Sequence, residues 1–135
     1  IKKILLLSGG ILLIDYGYLQ SQNLNTLQSI RKHKKNDILK NIYKADITYL
    51  VNFNLLSEFF FRNNLKVKKV VTQKFFLEKM GIVERANILK KKMNKLQVNN
   101  LERRLHRLLD RNMMGELFKV IFAFKSINDD ILGFD

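Results

Sequence analysis

The side chains best placed for chemistry stand together in Asp15-Tyr16-Gly17-Tyr18, directly after the uninterrupted apolar run Ile11-Leu12-Leu13-Ile14. A carboxylate at such a point can take a guanidinium in bidentate fashion. The two phenols can wall a pocket or hydrogen-bond through their hydroxyls. A structural role is equally open, with Asp15 capping a turn and Tyr16 packing. Gly17 suits a turn that leaves no room for a Cβ, or one that needs positive φ. His33 has the chemistry of a general base. It lies within Arg31-Lys32-His33-Lys34-Lys35, which reads more simply as a solvated loop than as a phosphate contact. Glu102 and His106, spaced i, i+4 in a helical pattern, read as a surface contact.

Several chemistries are excluded. The chain has no Cys, so it carries no disulfide, thiolate nucleophile or Cys-based zinc site. Two histidines, His33 and His106, do not make a His-rich metal site. Gly9-Gly10 precedes an apolar run, whereas a dinucleotide-binding loop follows a strand. No Ser-His-Asp or Cys-His arrangement stands out.

The elements that must position these groups follow from periodicity. Residues 1–7 read as the tail of a helix, closed by Ser8-Gly9-Gly10. Residues 11–14 read as a central strand buried on both faces, and open α/β sheets place ligands at the carboxyl ends of such strands. No period holds from Gly17 to about Lys44, which predicts a long connection, functional or disordered. Asn52 is expected to cap a helix over 53–63 with Leu55, Leu56, Phe59 and Phe60 as its apolar face. A strand over 67–71 follows, then a helix capped by Thr72, running through Met80 and ended by Gly81. Ile82, Ala86, Leu89, Met93 and Leu96 form a heptad-like seam. A further helix over 98–111 carries Leu101, Leu105, Leu108 and Leu109, and the two predict an αα-hairpin with its Lys and Arg in solvent. Residues 117–124 read as a strand whose Lys119 points out of the core or into a cleft, and 126–135 as a short acidic tail. This order predicts an α/β fold with a mostly parallel sheet and covering helices. Three strands fall short of a doubly wound domain, so further strands are expected upstream of Ile1.

The 135 residues, 47% hydrophobic with ten Phe, suit one domain with a real core. Lys and Arg total 25 against 12 acidic residues, a formal charge of +13. Taken alone, that charge suggests nucleic acid or an anionic membrane. Abundant Lys, Asn, Ile and Leu with no Pro, Trp or Cys also match the drift of an AT-rich coding sequence. The expectation is therefore scattered charge on exposed helix faces, including Lys90, Lys91, Lys92, Arg103 and Arg107, with no nucleic-acid footprint. No apolar stretch approaches the roughly 20 residues that span a bilayer, which predicts a soluble chain. The chain opens inside an apolar run without an initiator Met, so its true N-terminus is expected to be missing.

The order of the residues carries a resemblance. Gly9-Gly10-Ile11-Leu12-Leu13-Ile14-Asp15-Tyr16-Gly17-Tyr18 resembles the glycine–apolar–DYGY segment of the MidA-type S-adenosylmethionine-dependent methyltransferases. Further stretches follow in the same order: Thr26-Leu27-Gln28 with Arg31 and His33, Ala45-Asp46-Ile47-Thr48 with Val51-Asn52-Phe53, Thr72-Gln73 with Phe76-Leu77 and Gly81-Ile82, then Leu105-His106-Arg107-Leu108 with Met114-Gly115 and Leu117-Phe118-Lys119-Val120. Asn52 stands where the family usually has Asp, and either residue can cap a helix.

The resemblance implies the C-terminal part of a class I, Rossmann-like methyltransferase sheet. Residues 11–14 would be the fifth strand, 67–71 the sixth and 117–124 the last, antiparallel one. A helical insertion over about 73–112 would precede that last strand, and 1–135 would be the C-terminal portion of a single domain. The cofactor implied is S-adenosylmethionine, held by a glycine-rich loop upstream of this chain. The 135 residues alone are thus expected to be an inactive fragment. The activity implied is protein arginine methylation, with a protein substrate that includes a respiratory complex I subunit, in the bacterial cytoplasm or mitochondrial matrix. Asp15 and Asp46 are the candidate partners of a guanidinium, with Tyr16, Tyr18, His33 and Gln73 as further pocket residues. The alternatives are a non-catalytic assembly scaffold of the same fold and a basic RNA- or DNA-binding module.

Overall fold

The apolar run after Gly9-Gly10 extends into a ten-residue strand, β1 (Gly9–Tyr18). The structure is a computed structural model that describes residues 9–20, 25–125 and 130–134. The expected helix tail over 1–7 lies outside the described residues.

After β1 come β2 (Gln28–Arg31), β3 (Lys34–Asn36), β4 (Asp46–Thr48), β5 (Val51–Asn52) and α1 (Phe53–Arg62). Next are β6 (Lys66–Val67), β7 (Val71–Thr72), α2 (Gln73–Lys79), α3 (Ile82–Lys90) and α4 (Lys95–Leu109), then α5 (Met114–Leu117) and β8 (Phe118–Lys125). The main sheet has the order β5-β1-β8-β6, with β7 also on β8. The α/β class and the antiparallel last strand are as expected. The mostly parallel sheet is not: among the described residues only β1 and β5 pair in parallel, through Gly17–Val51 and Tyr18–Asn52, while β8 is antiparallel to β1, β6 and β7.

The centre of the sheet is β8, which corrects the expectation for residues 11–14. Strands flank β8 on both sides, and Val120, Ile121 and Ala123 are fully buried. Along Gly9–Tyr16, β1 meets a strand on one side only among the described residues, and Leu12, Leu13 and Ile14 remain exposed. An apolar run records that both faces can be covered; it does not say by what.

Alternation along β8 divides the core between its two faces. Ile121 and Ala123 pack with Phe53 and Phe60 of α1. Val120 and Phe122 pack with Phe76 of α2 and with Phe134. The expected acidic tail is thus anchored by Phe134, whose ring lies 5.3 Å from that of Phe76. The strand expected over 67–71 is split. Four steps separate Val67 from Val71, whereas three separate their β8 partners Ala123 and Val120. The extra residue is a bulge, which bends the strand and lets Val70 enter the core.

Local signals held where the bonds are local. Asn52 Oδ1 accepts from Leu55 N at 3.1 Å and caps α1. Thr72 Oγ1 accepts from Phe75 N at 3.2 Å and caps α2. Gly81 ends that turn at φ +78°. The inward face of α1 is Phe53, Leu56 and Phe60, while Leu55 and Phe59 face solvent. The heptad seam is interrupted, because α3 stops at Lys90 and Leu96 lies in the first turn of α4, behind an Asn94–Gln97 capping box. In place of an αα-hairpin, α2 bears on both α3 and α4, and α4 also on α5. A 2.9 Å ion pair, Lys90 to Glu102, ties α3 to α4.

The long connection, expected to be functional or disordered, holds a second sheet, ordered β3-β2-β4. Lys32 and His33, at φ 49° and 62°, form the two-residue turn between β2 and β3. Positive φ at both central positions matches the twist of a hairpin.

Candidate functional site

The small sheet brings its Thr26–Ser29 segment against the carboxyl end of β1. Between them lies a cleft of about 920 Å³, lined by Tyr16, Leu117, Leu50, Leu27, Ser29 and Asp37 among others. Thr26 holds the wall together, its Oγ1 accepting from Leu50 N at 3.2 Å. Tyr16, opposite Phe118 in the β1–β8 ladder, lies against that ring with centroids 4.0 Å apart and a 41° tilt.

Gly17 makes the close approach possible. A Cβ there would lie 2.4 Å from the Phe53 ring and 2.5 Å from the Val51 carbonyl oxygen. Of the two reasons for a glycine here, close packing is therefore the operative one.

Asp15 pairs with Lys119 in strand register, but its Oδ1 accepts from Tyr16 N at 2.7 Å and it does not line the cleft. The half-buried Lys119 donates instead to the Glu116 carbonyl. Tyr18, also half-buried, has its pKa raised, first by partial loss of solvent and then by the neighbouring Tyr49 hydroxyl. A hydrogen bond from Asn52 opposes that rise.

His33 is exposed at the hairpin tip, and Asp46 is exposed on β4 opposite Ile30. Neither lines the cleft that the preceding segment helps to form. Gln73 is buried, and its Nε2 donates to the Leu108 carbonyl at 3.0 Å, joining α2 to the end of α4. Its amide is spent on helix packing, which corrects its place among pocket residues. Tyr16 alone of the six candidates lines the cleft.

The residues missed are Asn36 and Asp37. Asn36 Nδ2 donates to Ser29 Oγ at 3.1 Å, to Asp37 O at 2.7 Å and to Lys40 O at 2.8 Å. Asp37 Oδ1 accepts from Leu39 N at 3.1 Å. The available signal was Asn-Asp itself, a pair prone to bonding its own backbone two residues on. Glu102 and His106 do not pair; Glu102 meets Lys90, and His106 meets Asp110 at 3.5 Å. Among the described residues, no group of three His, Cys, Asp or Glu can hold a metal, and no helix is long and apolar enough to cross a membrane.

A sheet closed by an antiparallel last strand, with a cleft at the carboxyl end of a parallel pair, is an α/β arrangement of the kind that takes ligands outside its strand ends. Residues 1–71 match the family described as "Putative S-adenosyl-L-methionine-dependent methyltransferase", and the chain belongs to that family. It is 32% identical over 112 residues, 82% of its length, to the Xenopus tropicalis Protein arginine methyltransferase NDUFAF7, mitochondrial. It is also 32% identical over 85 residues, 63% of its length, to the Caenorhabditis elegans homologue of that protein. The chain spans about a quarter of the two Xenopus relatives, 26% and 25%. A Burkholderia thailandensis structure bound to S-adenosyl-homocysteine shares the fold, with TM-score 0.77 and 23% identity over 93% of this chain and 34% of that one.

The glycines among the described residues are occupied with packing and turns. Gly10 faces the Phe122 ring, Gly17 the Phe53 ring and Gly115 the Leu109 carbonyl, while Gly81 and Gly133 serve turns at positive φ. Among the described residues, no glycine follows a strand into a helix in the way that phosphate- or nucleotide-cradling loops do.

Proposed function

We propose that this chain forms the acceptor side of a protein arginine methyltransferase. Its cleft at the end of β1 would hold the guanidinium of a protein substrate. The reading draws support from membership of the methyltransferase family and from the named activity of the Xenopus relatives. The observation that carries it locally is that Thr26, Leu27 and Gln28, a family-like stretch, line the cleft with Tyr16. The chain would contribute the C-terminal portion of a single domain, with α2 to α5 as a helical insertion. S-adenosylmethionine would be held by the part of the family's length that this chain does not span.

In this reading, Tyr16 and the leucines around it exclude water and orient the acceptor. Positioning of that kind supplies much of the rate in a transfer between two bound groups. Asp15 and Tyr18 would act at the rim. A link to assembly of respiratory complex I, with one of its subunits as substrate in the mitochondrial matrix, is the most specific form of the proposal; the mitochondrial Xenopus relatives are its motivation.

The test is a chimera in which these residues replace the matching quarter of the Xenopus tropicalis protein. It should bind S-adenosylmethionine and transfer a tritiated methyl group to arginine in a protein substrate, whereas the 135 residues alone should do neither. A chimera that folds and binds the cofactor but never labels arginine refutes the assignment.

A further inference from the structure

Among the described residues the cleft has one acidic lining residue, and it is neither Asp15 nor Asp46. It is Asp37, at the start of the turn that follows β3. The turn holds it in place. Asp37 Oδ1 accepts from Leu39 N at 3.1 Å, its carbonyl accepts from Lys40 N at 3.0 Å, and the Asn36 amide clamps the same backbone from the other side. Asn41 Nδ2 closes the network onto Asn36 Oδ1 at 2.8 Å. Holding a charged group in a fixed frame before the ligand arrives reduces what binding must spend on ordering it.

The second carboxylate oxygen is lightly engaged. Asp37 Oδ2 lies 3.9 Å from Lys40 Nζ, with the side chains 55% and 75% exposed. A pair so exposed contributes little and is readily exchanged. Lys35 also lines the cleft, but it is exposed on the short strand β3, and its long side chain can carry its charge into water. The aromatic component is Tyr16, 42% exposed. A carboxylate together with an aromatic face is the complement of a planar, delocalised cation, which can donate a fork of N–H groups and stack its face on a ring. A compact ammonium would use only the first.

We propose that Asp37 is the specificity residue of this cleft, recognising a guanidinium while Tyr16 offers the ring on which it stacks. This rests on the reading of the cleft as an arginine acceptor site, and it moves the recognising carboxylate from Asp15 and Asp46 to Asp37.

The test is binding of three fluorescent pentapeptides, Gly-Gly-Xaa-Gly-Gly, to the chain by anisotropy, with Xaa arginine, its uncharged isostere citrulline, or lysine. The informative variant is Asp37→Asn. Its amide oxygen can still accept from Leu39 N, so the turn survives while the charge is removed, and circular dichroism checks that it has. One charge-assisted contact supports a preference of about tenfold for arginine over citrulline in the unsubstituted chain. Asp37→Asn should bring that ratio to about one while citrulline binding stays the same. Lys40→Ala, which removes the competing ammonium, should tighten arginine binding. Tyr16→Leu should reduce the preference for arginine over lysine. An arginine preference that persists in a folded Asp37→Asn chain overturns the assignment, as does no preference, or no binding at millimolar concentration, in the unsubstituted chain. The two levels separate in the chimera. Methyl transfer to arginine that is indifferent to Asp37→Asn sinks this inference alone. Asp37-dependent arginine binding without any transfer sinks the methyltransferase reading alone.

Discussion

Replacing Gly17 by Ala should be among the most damaging single-methyl changes in the protein. The new Cβ would sit 2.4 Å from two atoms of the Phe53 ring and 2.5 Å from the Val51 carbonyl oxygen. Both contacts fall about 1 Å short of ordinary van der Waals separation. Neither neighbour can move cheaply. Phe53 is fully buried in the core with Phe60 and Ile121, and Val51 is the strand partner of Gly17 in the parallel β1–β5 pair. Overpacking costs roughly 1–3 kcal/mol, and pressure on a core ring and a backbone carbonyl together places this case near about 3 kcal/mol. Restricting the unfolded chain by Gly→Ala returns only about 0.4–1 kcal/mol. The net loss of about 2–3 kcal/mol corresponds to a fall of about 10 °C in melting temperature for a domain of this size. Thermal unfolding followed by circular dichroism measures it. Gly81→Ala is the control. Its Cβ would meet nothing nearer than Glu84 Oε2 at 3.7 Å, so only the φ of +78° opposes it, at about 1–2 kcal/mol. Phe53→Leu should soften the Gly17→Ala loss and leave the Gly81→Ala loss unchanged. A Gly17→Ala melting temperature within a degree or two of the unsubstituted chain would refute the packing argument.

Asn52→Ala should cost about 1 kcal/mol by removing the α1 cap, while Asn52→Asp should keep it; urea unfolding of both variants checks this. Gln73→Ala should destabilise by about 1–3 kcal/mol, because it leaves the Leu108 carbonyl without its 3.0 Å donor, and hydrogen exchange should quicken at the α2–α4 contact. Tyr18 has a raised pKa, so folding favours its neutral phenol. Its contribution is complete below the ordinary tyrosine value of about 10 and is lost as pH rises through the raised one. Phenolate absorbance should show a late-titrating component that disappears in Tyr18→Phe. Asp15→Ala should leave thermal stability nearly unchanged, since the side chain is exposed and bonds only the adjacent amide. With guanidinium recognition assigned to Asp37, a rim role for the exposed Asp15 calls for a loss of turnover of about fivefold or less in the chimera; unchanged turnover would remove Asp15 from the site.

By itself the sequence determined what depends on neighbours a few residues apart. The Asn52 and Thr72 caps each bond an amide three residues on, and Gly81 ends its helix through its own backbone freedom. The apolar density of residues 117–124 marked β8, and the ordered family-like stretches pointed to the fold. What depends on distant partners was decided only by the tertiary structure. Residues 11–14 and 117–124 are both apolar, yet among the described residues β8 is paired on both edges within 119–124, whereas β1 gains its second neighbour only at Gly17 and Tyr18. Lys32-His33 carries none of the Asn-Gly chemistry that announces a tight hairpin, and its positive φ values are held by the β2–β3 ladder. Gln73 looked like a pocket residue until a carbonyl 35 positions away claimed its amide. Asp15, beside the cleft in sequence, bonds its own chain, while Asp37, 22 residues further on, lines the cleft. A strand's periodicity states which faces are apolar; which edges and turns meet across the cleft is settled by the packing of the two sheets.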